Sequence, residues 1–316
     1  MNVLLLLNLP ENVRTRYPGP LREAFPTFKV DLVHHHSQVD PFIGDADILI
    51  TLGAHMADHV LEKGRRLKWI QALGTGVDGI IDRTALRKDV VVTNMHGLHG
   101  ESMSEAAIML MLALARDLPR SLRSQSERKW DRFPARTLKD RTVGIFGLGV
   151  IAEALAPMCK ALGMTVIGIT SAPRDVAGFD RVCPRDDLER VARELDFLVL
   201  LTPYTQSTRG IVNAKVIAAL KPSSCLVNLA RGGVVDEDAL LKALQDGRLA
   251  GAALDVFGTE PLPSDHPFWS MQNVIVTPHL GGFFDGYPRY ALPVVEENLR
   301  KFLAGDLQGM INIVKR

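Results

Sequence analysis

The amino-acid sequence predicts an α/β protein of two domains, each a parallel sheet with helices on both faces. Three observations predict it. The chain has 316 residues, long for one domain and ample for two cores, with 47% hydrophobic and 23% charged residues. Short apolar, β-branched runs alternate with stretches of helical periodicity along its length. Near the middle, one such run stops at Gly147-Leu148-Gly149 and a helical pattern begins at once.

The first run, Val3 to Leu7, is too short for a membrane span and lacks the basic flank and cleavage pattern of a signal peptide, so it reads as a strand. Strands are expected again in VDLVHH, DADILIT, KWIQALG and DVVVTN, with helical segments such as HVLEKGRRLK and DRTALRKD between them. His34, His35 and His36 are consecutive, but strand alternation sends neighbours to opposite faces and no carboxylate or cysteine cluster accompanies them, so no metal site is read there. Gly74-Thr75-Gly76-Val77-Asp78 directly follows a strand, at the edge where open α/β sheets bind ligands, although a plain turn explains it equally well. NMHGLHG reads as a linker, and Ser102 with Glu105 as a capping box for a helix running to Ala115. The polar stretch from Arg120 to Arg141 has no core periodicity, so Trp130 and Phe133 within it are expected against a second copy in a symmetric homodimer.

Thr142 to Gly163 then reads as strand, glycine turn, helix. Gly147 permits the turn, Gly149 lets backbone approach a pyrophosphate, and Ala152 stands at the third small position, where helix and strand pack closely. The helix N-terminus offers unpaired N–H groups and a partial positive charge to an anion. Five strands are expected after it, in TVIGIT, DFLVLLT, SCLVNLA, GAALDVF and NVIVTPH, with helices such as DDLERVARE and EDALLKALQDG, the latter stopped by Gly247. One strand before and five after make the six of a doubly wound dinucleotide domain. A last helical pattern, PVVEENLRKFLAGD, returns to the first domain. The expected boundaries therefore fall near His96 and Gly281, with residues 1–96 and 282–316 in one domain and 97–281 in the other.

A formal net charge of +1 creates no basic field for nucleic acid or an anionic membrane. Cys159, Cys183 and Cys225 are odd in number and scattered, like buried thiols of a reducing compartment, and a cytoplasmic protein is expected. Arg231, Glu260 and His279 each stand just past a candidate strand, so in a parallel sheet they share the carboxyl edge with the glycine turn. Arg231 is a planar donor suited to a carboxylate. His279 exchanges protons near neutrality, and Glu260, bonded to its imidazole, would orient it and raise its pKa. Singly, each fits a blander role: a surface ion pair, a helix cap, a satisfied histidine. Their convergence favours chemistry.

GLGVIAEAL, LVNLARGGVVDEDALL, AALDVFGTEPLP and NVIVTPHLGG, with LGTGVDGI and ENLRKFLAG, resemble the D-isomer-specific 2-hydroxyacid dehydrogenase family from about Lys68 onward. The resemblance implies a Rossmann-type dinucleotide domain inserted into a flavodoxin-like substrate domain. It also implies reduction of a small 2-oxoacid, glyoxylate- or hydroxypyruvate-like, to the D-2-hydroxyacid by a nicotinamide cofactor, or the reverse. The family's catalytic set falls on Arg231, Glu260 and His279. The substrate carboxylate would be held by Arg231 and by N–H groups at Thr75 and Gly76. The pyrophosphate would meet Gly147, Gly149, Val150 and Ile151; Thr202 and Pro203 would add cofactor contacts; and Leu229, Ala230, Arg231, Asp255, His279 and Gly281 would line the nicotinamide side. The C-terminal binding protein co-repressors, dinucleotide-sensing scaffolds, share these motifs and are the alternative, though the lack of long low-complexity tails favours an enzyme.

Two departures from the family pattern matter. After Thr170 the usual acidic residue is missing: Ser171, Ala172, Pro173 and Arg174 follow, and Asp175 lies beyond the proline. Thr170, Ser171 and Arg174 supply donors and positive charge that suit a 2′-phosphate, so NADP is expected in preference to NAD. After Gly281 stand Gly282, Phe283 and Phe284, where the family often has a small residue and threonine; this bears on pocket shape, as does the loop Leu52 to Met56.

Overall fold

The computed structural model describes residues 1–315, and Arg316 lies outside the described residues. The chain forms two compact units, one of Met1–His99 with the chain from Phe284 onward, the other of Gly100–Phe283. The crossings fall a few residues past the expected His96 and Gly281.

In the first unit β1 (Asn2–Leu6), β2 (Lys29–Val33), β3 (Ile48–Thr51), β4 (Trp69–Ala72) and β5 (Val91–Thr93) form a parallel sheet in the order β2-β1-β3-β4-β5, the flavodoxin-like order. All five expected runs are strands. Every residue of β3 and β4 is buried, as in a sheet covered on both faces. The polar residues among them are paired: the Trp69 indole donates to Thr93 (2.8 Å), the Thr93 hydroxyl to Gln71 (2.8 Å), and the Asn298 amide to the same Gln71 oxygen (3.1 Å). Asn298 lies on the helix Tyr287–Leu303, so this network ties the returning helix to the sheet.

Two expectations for this unit change. The helix expected from HVLEKGRRLK is Asp58–Lys63, but DRTALRKD makes turns, with Arg83 donating to the carbonyls of Gly79 (2.7 Å) and Met56 (2.9 Å). The histidine run has a local role: His35 caps a short 3₁₀ turn, His36–Gln38, by accepting the Ser37 N–H.

In the second unit β6 (Thr142–Phe146), β7 (Thr165–Thr170), β8 (Arg181–Pro184), β9 (Phe197–Leu200), β10 (Cys225–Asn228), β11 (Gly251–Leu254) and β12 (Val274–Val276) form a parallel sheet in the order β12-β11-β10-β9-β6-β7-β8. The sheet has seven strands, one more than expected. RVCP escapes a periodicity reading because only Cys183 is buried in it, and its proline is tolerated at the sheet edge. The strand order reverses between β6 and β9, the switch point at which doubly wound sheets bind ligands, and the glycine turn lies there.

The expected capping box does not form. The helix Gly100–Ala115 begins before Ser102, whose buried hydroxyl has no partner, and Ser104 instead donates to Gly100 O (2.6 Å) and Ile151 O (3.2 Å). The stretch from Arg120 is partly helical, within Leu118–Ser126; Phe133 lies under the Arg120 guanidinium at 4.3 Å, and Trp130 is 92% exposed.

Candidate active site

The glycine turn follows from steric limits. Gly147 has φ 102°, and a Cβ there would lie 2.6 Å from the Thr202 nitrogen, so the turn and the approach to Thr202 both require glycine. Gly149 caps the helix Val150–Ala161, and a Cβ built on it would meet nothing within 4 Å. Open space therefore adjoins the N-terminus of a twelve-residue helix, an end suited to an anion. Val150 is partly exposed, Ile151 half-buried, and Ala152 fully buried against the sheet. Thr202 is buried and Pro203 exposed just past β9. This cradle fits a dinucleotide pyrophosphate.

At the end of β7, Thr170 is half-buried and Ser171 exposed. The Arg174 guanidinium donates to Glu153, in the first helical turn after Gly149, at 2.5 Å, an ion pair with both side chains about half exposed.

Arg231, Glu260 and His279 converge in this same unit. The Glu260 carboxylate receives His279 Nδ1 at 2.8 Å on one oxygen and the Phe257 N–H at 3.0 Å on the other. Burial pushes the Glu260 carboxyl up, but the bonds from His279 and Phe257 and the positive charges of His279 and Arg231 outweigh it and hold Glu260 below the ordinary glutamate value. Arg231 precedes a 3₁₀ turn, Gly232–Val234, and donates to the Ala230 carbonyl at 2.7 Å. A Cβ on Gly232 would lie 1.9 Å from the Phe257 carbonyl carbon, so only glycine lets the Arg231 turn touch the loop that carries Glu260.

His279 has φ 54°, a left-handed conformation unusual for a non-glycine residue. Its N–H donates to Asp255 O at 2.9 Å, and the buried Asp255 carboxylate holds the rest of the turn. It accepts the Thr277 hydroxyl (2.5 Å) and the N–H groups of Leu280 and Gly281 (both 2.8 Å). Asp255, expected on the nicotinamide side, is 2% exposed, and its oxygens serve the His279 turn. Leu229 and Ala230 are buried too. A Cβ on Gly281 would lie 3.0 Å from the Met103 sulfur and 3.1 Å from an Asp255 oxygen, so a larger residue needs those side chains to shift.

Sequence reasoning missed Asn228, the last residue of β10. Its amide donates to Arg231 O (3.1 Å) and its carbonyl oxygen accepts the Ala230 N–H (3.0 Å), setting the backbone that aims Arg231. A polar side chain ending an otherwise apolar four-residue strand was the available signal.

In the first unit, Gly74-Thr75-Gly76 leaves the carboxyl end of β4. Gly74 O accepts the Met95 N–H (3.0 Å) and Thr75 O accepts the Asn94 amide (2.8 Å), whereas the N–H groups of Thr75 and Gly76 make no hydrogen bond among the described residues. Two half-buried donors are thus presented on a turn whose carbonyls are committed. The loop Leu52 to Met56 lies beside this turn, Gly53 against Asp78 and Gly79, and His55 in it accepts the Asn8 N–H (3.2 Å). Phe284 packs edge-on to Tyr287 and Tyr290. Among the described residues, no group of three or more His, Cys, Asp or Glu is placed to hold a metal ion, and no helix is long and apolar enough to cross a membrane.

Sheet order, glycine turn and helix N-terminus together define a Rossmann-type dinucleotide-binding protein. Residues 108–281 match the sequence profile described as D-isomer specific 2-hydroxyacid dehydrogenase, NAD binding domain. D-3-phosphoglycerate dehydrogenase of Methanocaldococcus jannaschii is 38% identical over 276 residues, 86% of this chain and 52% of that one, so the chain spans about half that relative's length. A D-isomer specific 2-hydroxyacid dehydrogenase family protein of Aeromonas salmonicida superposes with TM-score 0.89 at 33% identity, covering 99% of this chain and 98% of the other. An NADPH-dependent glyoxylate/hydroxypyruvate reductase of Sinorhizobium meliloti, solved with NADP and sulfate, superposes with TM-score 0.85 at 29% identity, covering 99% and 98%. This chain belongs to the D-isomer specific 2-hydroxyacid dehydrogenase family.

Proposed function

We propose that the protein reduces a small 2-oxoacid, of the glyoxylate or hydroxypyruvate kind, to the D-2-hydroxyacid, or runs the reverse reaction, with NADP preferred over NAD. The observation that carries this is the His279–Glu260 pair at 2.8 Å, within the field of Arg231 and on the carboxyl edge that also bears the glycine turn. The reductase named among the similar structures supports the substrate class.

Gly147, Gly149, Val150, Ile151, Thr202 and Pro203 hold the dinucleotide; when bound, its nicotinamide supplies the hydride. Leu229, Ala230 and Gly281 back the nicotinamide side through their main chain. Arg231 binds the carboxylate and polarises the carbonyl. In the first unit, the N–H groups of Thr75 and Gly76 are donors suited to a carboxylate. Protonated His279 gives its proton to the carbonyl oxygen, and Glu260 keeps it oriented and charged until then. Steady-state turnover of a panel of 2-oxoacids with NADPH and NADH tests the reading. Dinucleotide binding without turnover of any acid would favour the scaffold alternative.

Arg231→Lys keeps the charge but loses the planar fork. KM for the 2-oxoacid should rise and kcat fall together, and a kinetically silent variant would mean that the carboxylate is held elsewhere.

The cofactor preference rests on the missing acid after β7 and on Arg174, placed by Glu153 beside the pyrophosphate helix. Arg174→Ala should weaken NADPH by roughly ten- to hundredfold, the loss of a charge-assisted hydrogen bond, and leave NADH nearly unchanged. A wild type with the higher kcat/KM for NADH would overturn this preference.

We also read the protein as a cytoplasmic homodimer. Three free, buried cysteines suit a reducing compartment. Trp130, with Met109, Leu112, Leu118 and Leu122, leaves apolar surface exposed on the segment that follows the first crossing. Sedimentation at micromolar concentration should give the dimer mass, and a monomer would refute this part.

A further inference from the structure

We propose that His99 is a positioning residue for the substrate carboxylate, acting through the Thr75 hydroxyl to set the direction of the Thr75 and Gly76 N–H groups. This deepens the reading of those two amides as the carboxylate cradle and rests on it.

The turn that carries the amides is held from several sides by later parts of its own unit. Leu73 O accepts the Tyr287 hydroxyl, Gly74 O the Met95 N–H, and Thr75 O the Asn94 amide. The Thr75 side chain is the remaining handle. Its Oγ1 lies 3.3 Å from the Met95 carbonyl, to which it donates, and 2.9 Å from His99 Nδ1. A hydroxyl has one proton, so with that proton on Met95 O the ring must supply the other: Nδ1–H donates to Oγ1. Burial holds the His99 imidazole below its ordinary pKa, against an opposing hydrogen bond to Met95, so the neutral ring carries a single proton, assigned by this network to Nδ1.

The His99 ring also rests against the Tyr287 ring, centroids 5.3 Å apart, and Tyr287 grips Leu73. Two aromatic groups in mutual contact thus secure the residues on either side of Gly74. His99 is the last residue of its unit before the chain crosses at Gly100, where linker side chains are commonly solvated; this one is turned inward onto the cradle. Two amides bind a carboxylate well only if both point at it, and small misplacements of a binding group are costly.

His99→Phe keeps the ring against Tyr287 and removes Nδ1. With glyoxylate, which has no side chain and so reports on the carboxylate, KM should rise about tenfold, kcat should change less than about threefold, and the NADPH dissociation constant from fluorescence titration should not move. Thr75→Val breaks the same bond from the other side and should do likewise, and the double variant should be no worse than the poorer single. His99→Asn, with an amide N–H near the place of Nδ1, should recover most of the loss. Should His99→Phe fail to fold, Thr75→Val carries the same expectation. An unmoved KM in a folded variant, multiplicative losses in the double variant, or no recovery with asparagine would overturn the role of His99. A wild type that turns over none of the 2-oxoacids would instead overturn the underlying reading, and is seen before any variant is made.

Discussion

His279→Ala is expected to lower kcat by roughly 10²–10⁴, the contribution of a positioned acid or base, with little change in NADPH affinity. The imidazole is half exposed at its outer edge, while Nδ1 is committed to Glu260 at 2.8 Å. Under this assignment Nε2, not Nδ1, is the atom that would exchange the proton. Near-normal turnover would sink the assignment. Glu260→Gln should act through the histidine. Against burial, the hydrogen bonds from His279 and the Phe257 N–H, with the charges of His279 and Arg231, hold Glu260 below the ordinary glutamate value. Glutamine weakens the partner that orients the ring through Nδ1, so kcat should fall with little change in NADPH affinity. An unchanged kcat would make Glu260 a structural partner.

Asp255→Ala is expected to destabilise the protein by about 2–4 kcal/mol, since truncation leaves one buried and two part-buried donors unpaired, at about 1–3 kcal/mol for the buried one and less where water reaches. Those donors are the Thr277 hydroxyl and the N–H groups of Leu280 and Gly281. The same bonds hold His279 in a left-handed conformation that costs of order 1–3 kcal/mol and relaxes once they are gone. The molecules that remain folded should therefore be nearly as inactive as His279→Ala. Urea unfolding and turnover on the same preparation measure both. A variant as stable and as active as the wild type would show that the turn has other support.

Most of the strands were legible because their signal is local. Runs such as ILIT and FLVL are apolar on both faces, as a sheet covered by helices on both sides requires, and no distant residue is needed to read them. RVCP was not legible, since an edge strand buries one face and carries charge and proline at no cost. The Ser102 box failed for a different reason. Its residues fit the pattern, but the helix starts earlier, at Gly100, and Ser104 supplies the hydroxyl that bonds to Ile151 O. DRTALRKD has helical composition, yet Arg83 bonds from it to carbonyls earlier in the chain and turns win.

Two parallel sheets, the glycine turn, and Arg231, Glu260 and His279 just past strand ends are all legible in residue order alone. In a parallel sheet every carboxyl end lies on one edge, so position along the chain becomes position in space without knowledge of any contact. What each side chain does at that edge depends on packing. Asp255 turns inward beneath His279, Asn228 aims Arg231, Arg174 is tethered to Glu153, and Tyr287 reaches Leu73 across 214 residues of chain. Such partners are chosen by distance and burial after the elements have packed. Because a hydrogen bond depends on a few tenths of an ångström and on direction, no periodicity in the sequence encodes it.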